Sequence, residues 1–256
     1  MEGGALMGAA TRLLAALLAV PAMAFGAELV KLDRAPIDET DLISLQRGAR
    51  TFVNYCLNCH SAGYMRYGRL QDLGLNEAQI RDNLIFTEAK IGDLMRVAMD
   101  PKEGKEWFGV APPDLSVIAR SNASPAGSGA DWLYTYMRSF YRDSTRPMGW
   151  NNAVFPNVGM PHVLYQLQGE QALTTAERAT WGGRKEKVQR LVVEKPGSMT
   201  PPEYDRMVAD LVNFLVYVGE PAKRSRIALG IYVLMFLGGL FVLAYALKKE
   251  YWKDVH

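Results

Sequence analysis

Apolar positions divide this chain into stretches of different period and length. Leu13 to Val20 is a short unbroken apolar run. It follows Arg12 and precedes the small residues of "PAMAFGAE", the layout of a secretory signal peptide over residues 1–26, cleaved after Ala24 or Gly26. Leu42, Leu45, Ala49, Phe52 and Val53 recur at helical spacing and predict a helix over residues 41–55, started by Thr40 or Asp38. Tyr204, Met207, Val208, Leu211, Val212, Leu215 and Val218 form a second helical stripe. Thr200-Pro201-Pro202-Glu203 opens it as a capping box with proline at the first helical position, and Gly219 and Pro221 close it. The two stripes are expected to pack on each other. From Ile227 to Leu247 the chain carries no charge, which is about 31 Å of helix at about 1.5 Å per residue. Lys223, Arg224 and Arg226 flank that run on one side and Lys248, Lys249 and Lys253 on the other. Tyr251 and Trp252 suit an interfacial anchor.

These signals predict a mainly α protein with one C-terminal transmembrane helix. Residues 27–222 form an exported body, and residues 223–256 form the anchor and a short cytoplasmic tail. Met95, Met99, Met137 and Met207 fall at helical spacing and read as core. "SNASPAGSGA" (Ser121 to Ala130) reads as a flexible insertion, and Thr174 to Met199 as a polar, basic surface excursion. Composition adds little: 49% apolar, 22% charged and a net charge of +2 give no argument for a nucleic-acid partner.

The chain has two cysteines, and both lie in Cys56-Leu57-Asn58-Cys59-His60. A disulfide is the default for an exported domain, but Cys-x-x-Cys followed at once by histidine is the attachment pattern of a c-type haem. Each thiol adds to one vinyl group, and the adjacent histidine falls under the iron as the proximal ligand. A zinc site wants four ligands, which two cysteines and three histidines supply poorly, since His256 is on the tail. A thioredoxin-like pair opens a helix, whereas this pair ends a helical pattern. One motif implies one haem. For the opposite face of the iron, Met148 and Met160 lie in loop-like sequence. Met160 sits between Gly159 and Pro161, with His162 beside it as an alternative ligand. In "VAPPDLSVIAR", the Pro-Pro turn has a plain reading as a turn and a functional one as a wall along the haem edge, with Arg120 near a propionate.

The ordered set "CLNCHSAGYMRYGRL", "APPDLSVIAR", "ADWLYTYMRSFYRD" and "GWNNAVFPNVGMPH", followed by a C-terminal anchor, resembles the bacterial cytochrome c1 family over about Leu42 to Trp252. That family is the c-type haem subunit of ubiquinol–cytochrome c oxidoreductase, the bc1 complex. The resemblance implies a class I cytochrome c-like haem domain with insertions. It implies Cys56 and Cys59 as thioether sites, His60 as proximal ligand and Met160, rather than His162, as distal ligand of one haem c. It also implies a non-catalytic electron-transfer role: one electron from the Rieske iron–sulfur protein to a soluble or membrane-bound cytochrome c, beside cytochrome b in the inner membrane, haem domain in the periplasm. The departure is Asn122, which stands where family members often carry a second basic residue after the position of Arg120. Competing readings are a membrane-anchored cytochrome c serving a haem–copper oxidase or another respiratory enzyme, a haem-based sensor with an open or weakly ligated iron, and a thiol oxidoreductase using Cys56 and Cys59. An acidic docking patch in "DETD" (Asp38 to Asp41) is the lesser reading of those residues, beside a solvated helix cap.

Overall fold

The computed structural model describes residues 31–179 and 185–254; the signal-peptide expectation for residues 1–26 lies outside them. The first helix, α1 (Leu42–Thr51), is capped by Asp41 rather than Thr40 or Asp38. The Asp41 carboxylate accepts from the Ser44 amide at 3.0 Å. Asp38 instead folds back onto the Thr40 amide and hydroxyl, as short acidic side chains do in turns. Leu45 and Ala49 are buried, while Leu42, in the first turn of the same stripe, and Ile43, on the other side of the helix, are exposed. The helix then widens into a π turn over Phe52–Cys56.

Next come β1 (Ala62–Arg66), a 3-10 turn (Tyr67–Leu73), α2 (Glu77–Leu84) and β2 (Leu94–Met95), which pairs antiparallel with β1. The helix α3 (Pro101–Phe108) starts at Asp100 with proline in its first turn. It is followed by the short α4 (Ile118–Ser121) and by α5 (Gly129–Arg138). A small hairpin joins β3 (Phe140–Arg142) to β4 (Trp150–Asn152), and α6 (Tyr165–Gln168) leads into a long hairpin of β5 (Gly169–Ala179) and β6 (Lys185–Pro196). The last two helices are α7 (Pro201–Gly219) and α8 (Lys223–Tyr251).

The centre of the fold is the crossing of α1 and α7, as the two apolar stripes predict. It is close because position 48 is glycine: a Cβ there would meet the Asp210 carbonyl oxygen at 2.1 Å and the Phe214 Cβ at 2.6 Å. Phe52 and Phe214 pack with ring centroids 5.6 Å apart, and both are fully buried. Each such side chain contributes about 1.5–3 kcal/mol relative to exposure. Polar groups fix the register. Arg47 makes a two-pronged pair with Asp210, at 2.6 and 3.0 Å, and Asn213 donates to the Asp38 carbonyl at 2.7 Å. The expected Thr200–Glu203 capping box is present. From the far side, α5 closes on α7 through Tyr204 to the Met137 carbonyl at 2.8 Å and through Arg138 to Asp205.

Several local expectations differ from the structure. Met95 and Met137 are buried core residues as expected and Met207 is half-buried in α7, but Met95 lies in the strand β2 rather than a helix and Met99 in a loop. The strands β1 and β2 are too short to impose a period of two on the sequence. The "SNASPAGSGA" stretch is a closed turn, not a flexible insertion. Ser124 and Gly127 exchange backbone hydrogen bonds at 3.0 and 3.1 Å, and Ser128 with Asp131 forms a capping box for α5. Residues Thr174 to Met199 are largely the β5–β6 hairpin. Helix α8 is apolar and exposed, with a mean hydropathy of 2.5 over its best window, so it is long and apolar enough to cross a membrane. Of the "DETD" acids, Asp41 caps α1, Asp38 closes a turn onto Thr40, and Glu39 holds Lys223 at the start of α8 at 2.5 Å.

Candidate functional site

The π turn ending α1 sets the first wall of an apolar cleft. Its wide i→i+5 step, Leu57 N to Phe52 O at 3.0 Å, is followed by a tight turn in which the Cys59 and His60 amides both donate to the Cys56 carbonyl, at 3.0 and 2.8 Å. Inserted π turns of this kind gather at functional sites. Here the turn brings Cys56, Cys59 and His60 to one cleft. The cysteines make no disulfide.

The Pro-Pro segment supplies the clamp. The Pro113 carbonyl lies 2.8 Å from His60 Nδ1. A carbonyl only accepts, so Nδ1 carries the proton and Nε2 keeps its lone pair, the tautomer of a metal-binding histidine. Burial holds the His60 pKa below its ordinary value, opposed by the Pro113 bond and the Asp114 charge. The turn is itself tied down. Leu115 N donates to Ser61 O at 2.7 Å, Asp114 accepts from the Gly63 and Ser116 amides at 2.8 Å each, and Ser116 Oγ accepts from Tyr64 N at 3.0 Å.

The opposite wall is the 158–163 loop. Gly159 lets it approach closely: a Cβ there would lie 2.9 Å from Val110 Cγ1 and 3.0 Å from the Phe108 carbonyl oxygen. Met160 lines the cleft together with His60 and Cys56. The larger lobe, a cavity of about 430 Å³, lies between Val110, Leu115, Ile118, Trp132, Tyr136 and Leu211. The smaller lobe, of about 70 Å³, lies beside Tyr55, Phe108 and Pro112. The larger lobe falls within the size range of cofactor sites, and the walls of both lobes are almost wholly apolar. Two thiols and a histidine on one wall, with a thioether on the other, are the donor set that fits a covalently held haem.

The same geometry argues against thiol chemistry. Burial, with a smaller contribution from Cys59, pushes the Cys56 thiol up to about 12, and burial raises Cys59 as well. A disulfide-exchange enzyme needs a thiolate at neutral pH and hence a depressed value. No cluster of three or more His, Cys, Asp or Glu able to hold a bare metal ion occurs among the described residues.

Of the residues named from sequence, Cys56, Cys59, His60 and Met160 come together. Arg120 does not line the cleft; its guanidinium lies toward Glu220 at 3.8 Å, and Asn122, two residues on, lines the wall instead. His162 is buried away from the cleft, stacked on Phe140 at 4.8 Å and edge-on to Trp150 at 5.1 Å. Burial brings its pKa down to about 4. Met148 is partly exposed and lines neither lobe. Sequence reasoning did not single out Tyr136, whose hydroxyl lies 3.5 Å from Met160 Sδ. Its ring stacks on Trp132 at 4.7 Å, and burial raises its pKa. The i, i+4 spacing of Trp132 and Tyr136 on α5 was the available signal.

Comparison with known proteins places the whole chain rather than its individual residues. The Cytochrome C1 family matches residues 33–179 and 189–255. The chain is 54% identical to the ammonia monooxygenase gamma subunit of Nitrosomonas europaea, over 95% of this chain and 97% of that protein. It is 52% identical to cytochrome c1 of Allochromatium vinosum, over 88% and 90%. It is 26% identical to cytochrome c1 of Rhodospirillum rubrum, over 84% and 83%.

Proposed function

The chain belongs to the cytochrome c1 family, and from that premise we propose that it takes single electrons from a Rieske iron–sulfur protein and passes them to a cytochrome c. Members of the family are membrane-anchored electron-transfer subunits of bc1-type complexes with one covalently attached haem c, and α8 suits the anchor. Bound in the cleft, the haem supplies a centre that gains and loses one electron without bond rearrangement in the protein. Cys56 and Cys59 are the thioether positions. His60, held by Pro113, offers Nε2 from one wall, and Met160 offers its sulfur from the other. A methionine at that position raises the potential relative to histidine. Arg120 would reach a propionate at the cleft mouth only by turning away from Glu220. Residues 27–222 form the periplasmic haem domain, and residues 223–256 the anchor and cytoplasmic tail.

The observation that carries the reading is the pairing of His60 and Met160 across one apolar cleft, with Cys56 and Cys59 at its edge. The name of the Nitrosomonas europaea relative raises a second reading, a subunit of a monooxygenase. Optical difference spectra of the complex purified through a tagged chain separate the two. A c-type band with ascorbate, then b-type bands with dithionite that carbon monoxide leaves unmoved, supports the bc1-type role. A c-type band alone would leave a free anchored cytochrome, carbon-monoxide-sensitive b haem would indicate an oxidase partner, and copurifying monooxygenase subunits would support the second reading. No c-type band, from a host able to attach haem, would return the cysteines to thiol chemistry. Replacing Met160 with leucine should lower the potential and open the iron to carbon monoxide; an unchanged spectrum and potential would refute Met160 as ligand.

A further inference from the structure

Met160 is not alone on its wall. Tyr136 Oη lies 3.5 Å from Met160 Sδ, and a thioether has no proton to give, so the phenol must be the donor. The phenol is also held in place. Its ring is stacked on Trp132 at 4.7 Å, with 12° between planes, and set edge-on against Phe140 at 5.1 Å. Its own carbonyl accepts from Asn152 Nδ2 at 2.8 Å. Asn152 is itself locked, because its side-chain oxygen accepts from the Val154 and Phe155 amides at 2.9 and 3.1 Å. The tyrosine side chain therefore has little freedom to turn from the sulfur, and the larger lobe it lines is otherwise walled mainly by apolar residues.

We infer that Tyr136 is a positioning residue for the Met160 thioether, and that its hydroxyl raises the reduction potential of the centre. This rests on the reading of Met160 as distal ligand. A sulfur has two lone pairs. If the phenol engages one, the other remains for the cleft, and the thioether is fixed in rotation about its Cγ–Sδ bond. The bond also draws electron density from the sulfur, which makes it a poorer donor to an oxidised iron than to a reduced one. Hydrogen bonds to ligand atoms are a recognised means of tuning a metal centre.

The test is Tyr136→Phe in the full chain within its membrane complex. It keeps the ring and its stack and removes only the hydroxyl. The potential should fall, so that at a fixed ambient potential the oxidised-to-reduced ratio rises about fivefold, the size of one ordinary hydrogen bond. The sulfur-to-iron charge-transfer band of the oxidised protein should shift with it. A second variant, with 3-fluorotyrosine at position 136, makes the donor stronger and should move the ratio the opposite way. It also keeps the test open if Tyr136→Phe fails to take up haem. If neither substitution moves the ratio or the band, the inference is wrong and Tyr136 is packing only. Met160→Leu run in parallel separates the levels. If it leaves potential and spectrum unchanged, the ligand assignment has failed and the Tyr136 role falls with it. If it behaves as a lost ligand while the Tyr136 variants stay silent, only the tuning role has failed.

Discussion

Gly48→Ala should destabilise the haem domain, although alanine is the better helix former. In an open helix the change would gain about 1 kcal/mol. Here the new methyl would lie 2.1 Å from the Asp210 carbonyl oxygen and 2.6 Å from the Phe214 Cβ. The first contact is with backbone inside α7, which no rotamer change relieves, so α1 and α7 must move apart. Overpacking of that kind costs about 1–3 kcal/mol. It also strains the Arg47–Asp210 pair and the Phe52–Phe214 contact on either side of the crossing, so we take the upper end. Net of propensity, the loss is about 2 kcal/mol, or a melting temperature about 4–8 °C lower for a domain of this size. Because α1 runs directly into the turn carrying Cys56, the yield of haem-loaded protein should fall as well. The assay is thermal unfolding of the purified complex followed by circular dichroism, with haem content read by pyridine haemochrome. A variant that melts within 1 °C of the parent, or above it, would refute the close crossing as the organising contact of the fold.

Two further outcomes follow from the charges. Arg47→Ala should cost about 2 kcal/mol in urea unfolding, because it strips both hydrogen bonds from the buried Asp210 carboxylate; a loss below about 0.5 kcal/mol would mean that solvent replaces the guanidinium. Arg142, then Lys195, brings the Glu170 pKa down to about 2, so the stabilisation from Glu170 is present above its ordinary value near 4.5 and is lost as pH falls through about 2. The difference in melting temperature between the parent and Glu170→Gln should therefore stay level above pH 5 and close toward pH 2; a difference that is flat across that range would remove Glu170 as the tie between β3 and the long hairpin.

The elements legible in the sequence were those whose burial is one-sided and long. The α1 and α7 stripes announce themselves because each helix presents a single face to the other. The membrane segment is readable because lipid demands an apolar residue at every position. The cleft was legible at Cys56, Cys59 and His60, where covalent chemistry dictates the spacing, and at Met160 through its glycine and proline neighbours. The β5–β6 hairpin was not, because both its faces are largely solvated and Gln171, Thr174, Thr175 and Glu177 leave no clean alternation of period two. The closed turn at Ser124 and Gly127 was misread because serine, glycine and proline mark ordered turns and loose linkers alike. Only the approach of Gly129 to the Ala119 carbonyl oxygen, where a Cβ would meet it at 2.2 Å, shows why glycine is required there. Tyr136 was hidden for another reason: its i, i+4 spacing from Trp132 marks only the ring stack, its partner Met160 is 24 residues away, and no local pattern reports a contact of that range.

The stretch from Met99 to Pro113 explains how two walls drawn from distant parts of the sequence are kept in register. At one end the Pro113 carbonyl fixes the His60 ring. Near the middle Gly104 lets α3 sit on the same turn, since a Cβ there would meet Pro112 Cδ at 2.8 Å. At the far side of the cleft Phe108 and Val110 pack against Gly159, one residue before Met160. The segment thus touches the supports of both proposed axial ligands, and the residues that follow it, Asp114 and Ser116, tie it to β1 by hydrogen bonds of 2.8 and 3.0 Å. A centre that exchanges one electron works best when its surroundings change little between the two states. The backbone glycines at 104 and 159 and the tied Pro-Pro turn provide that stiffness through packing, so the apolar wall of the cleft is also the brace between its two sides.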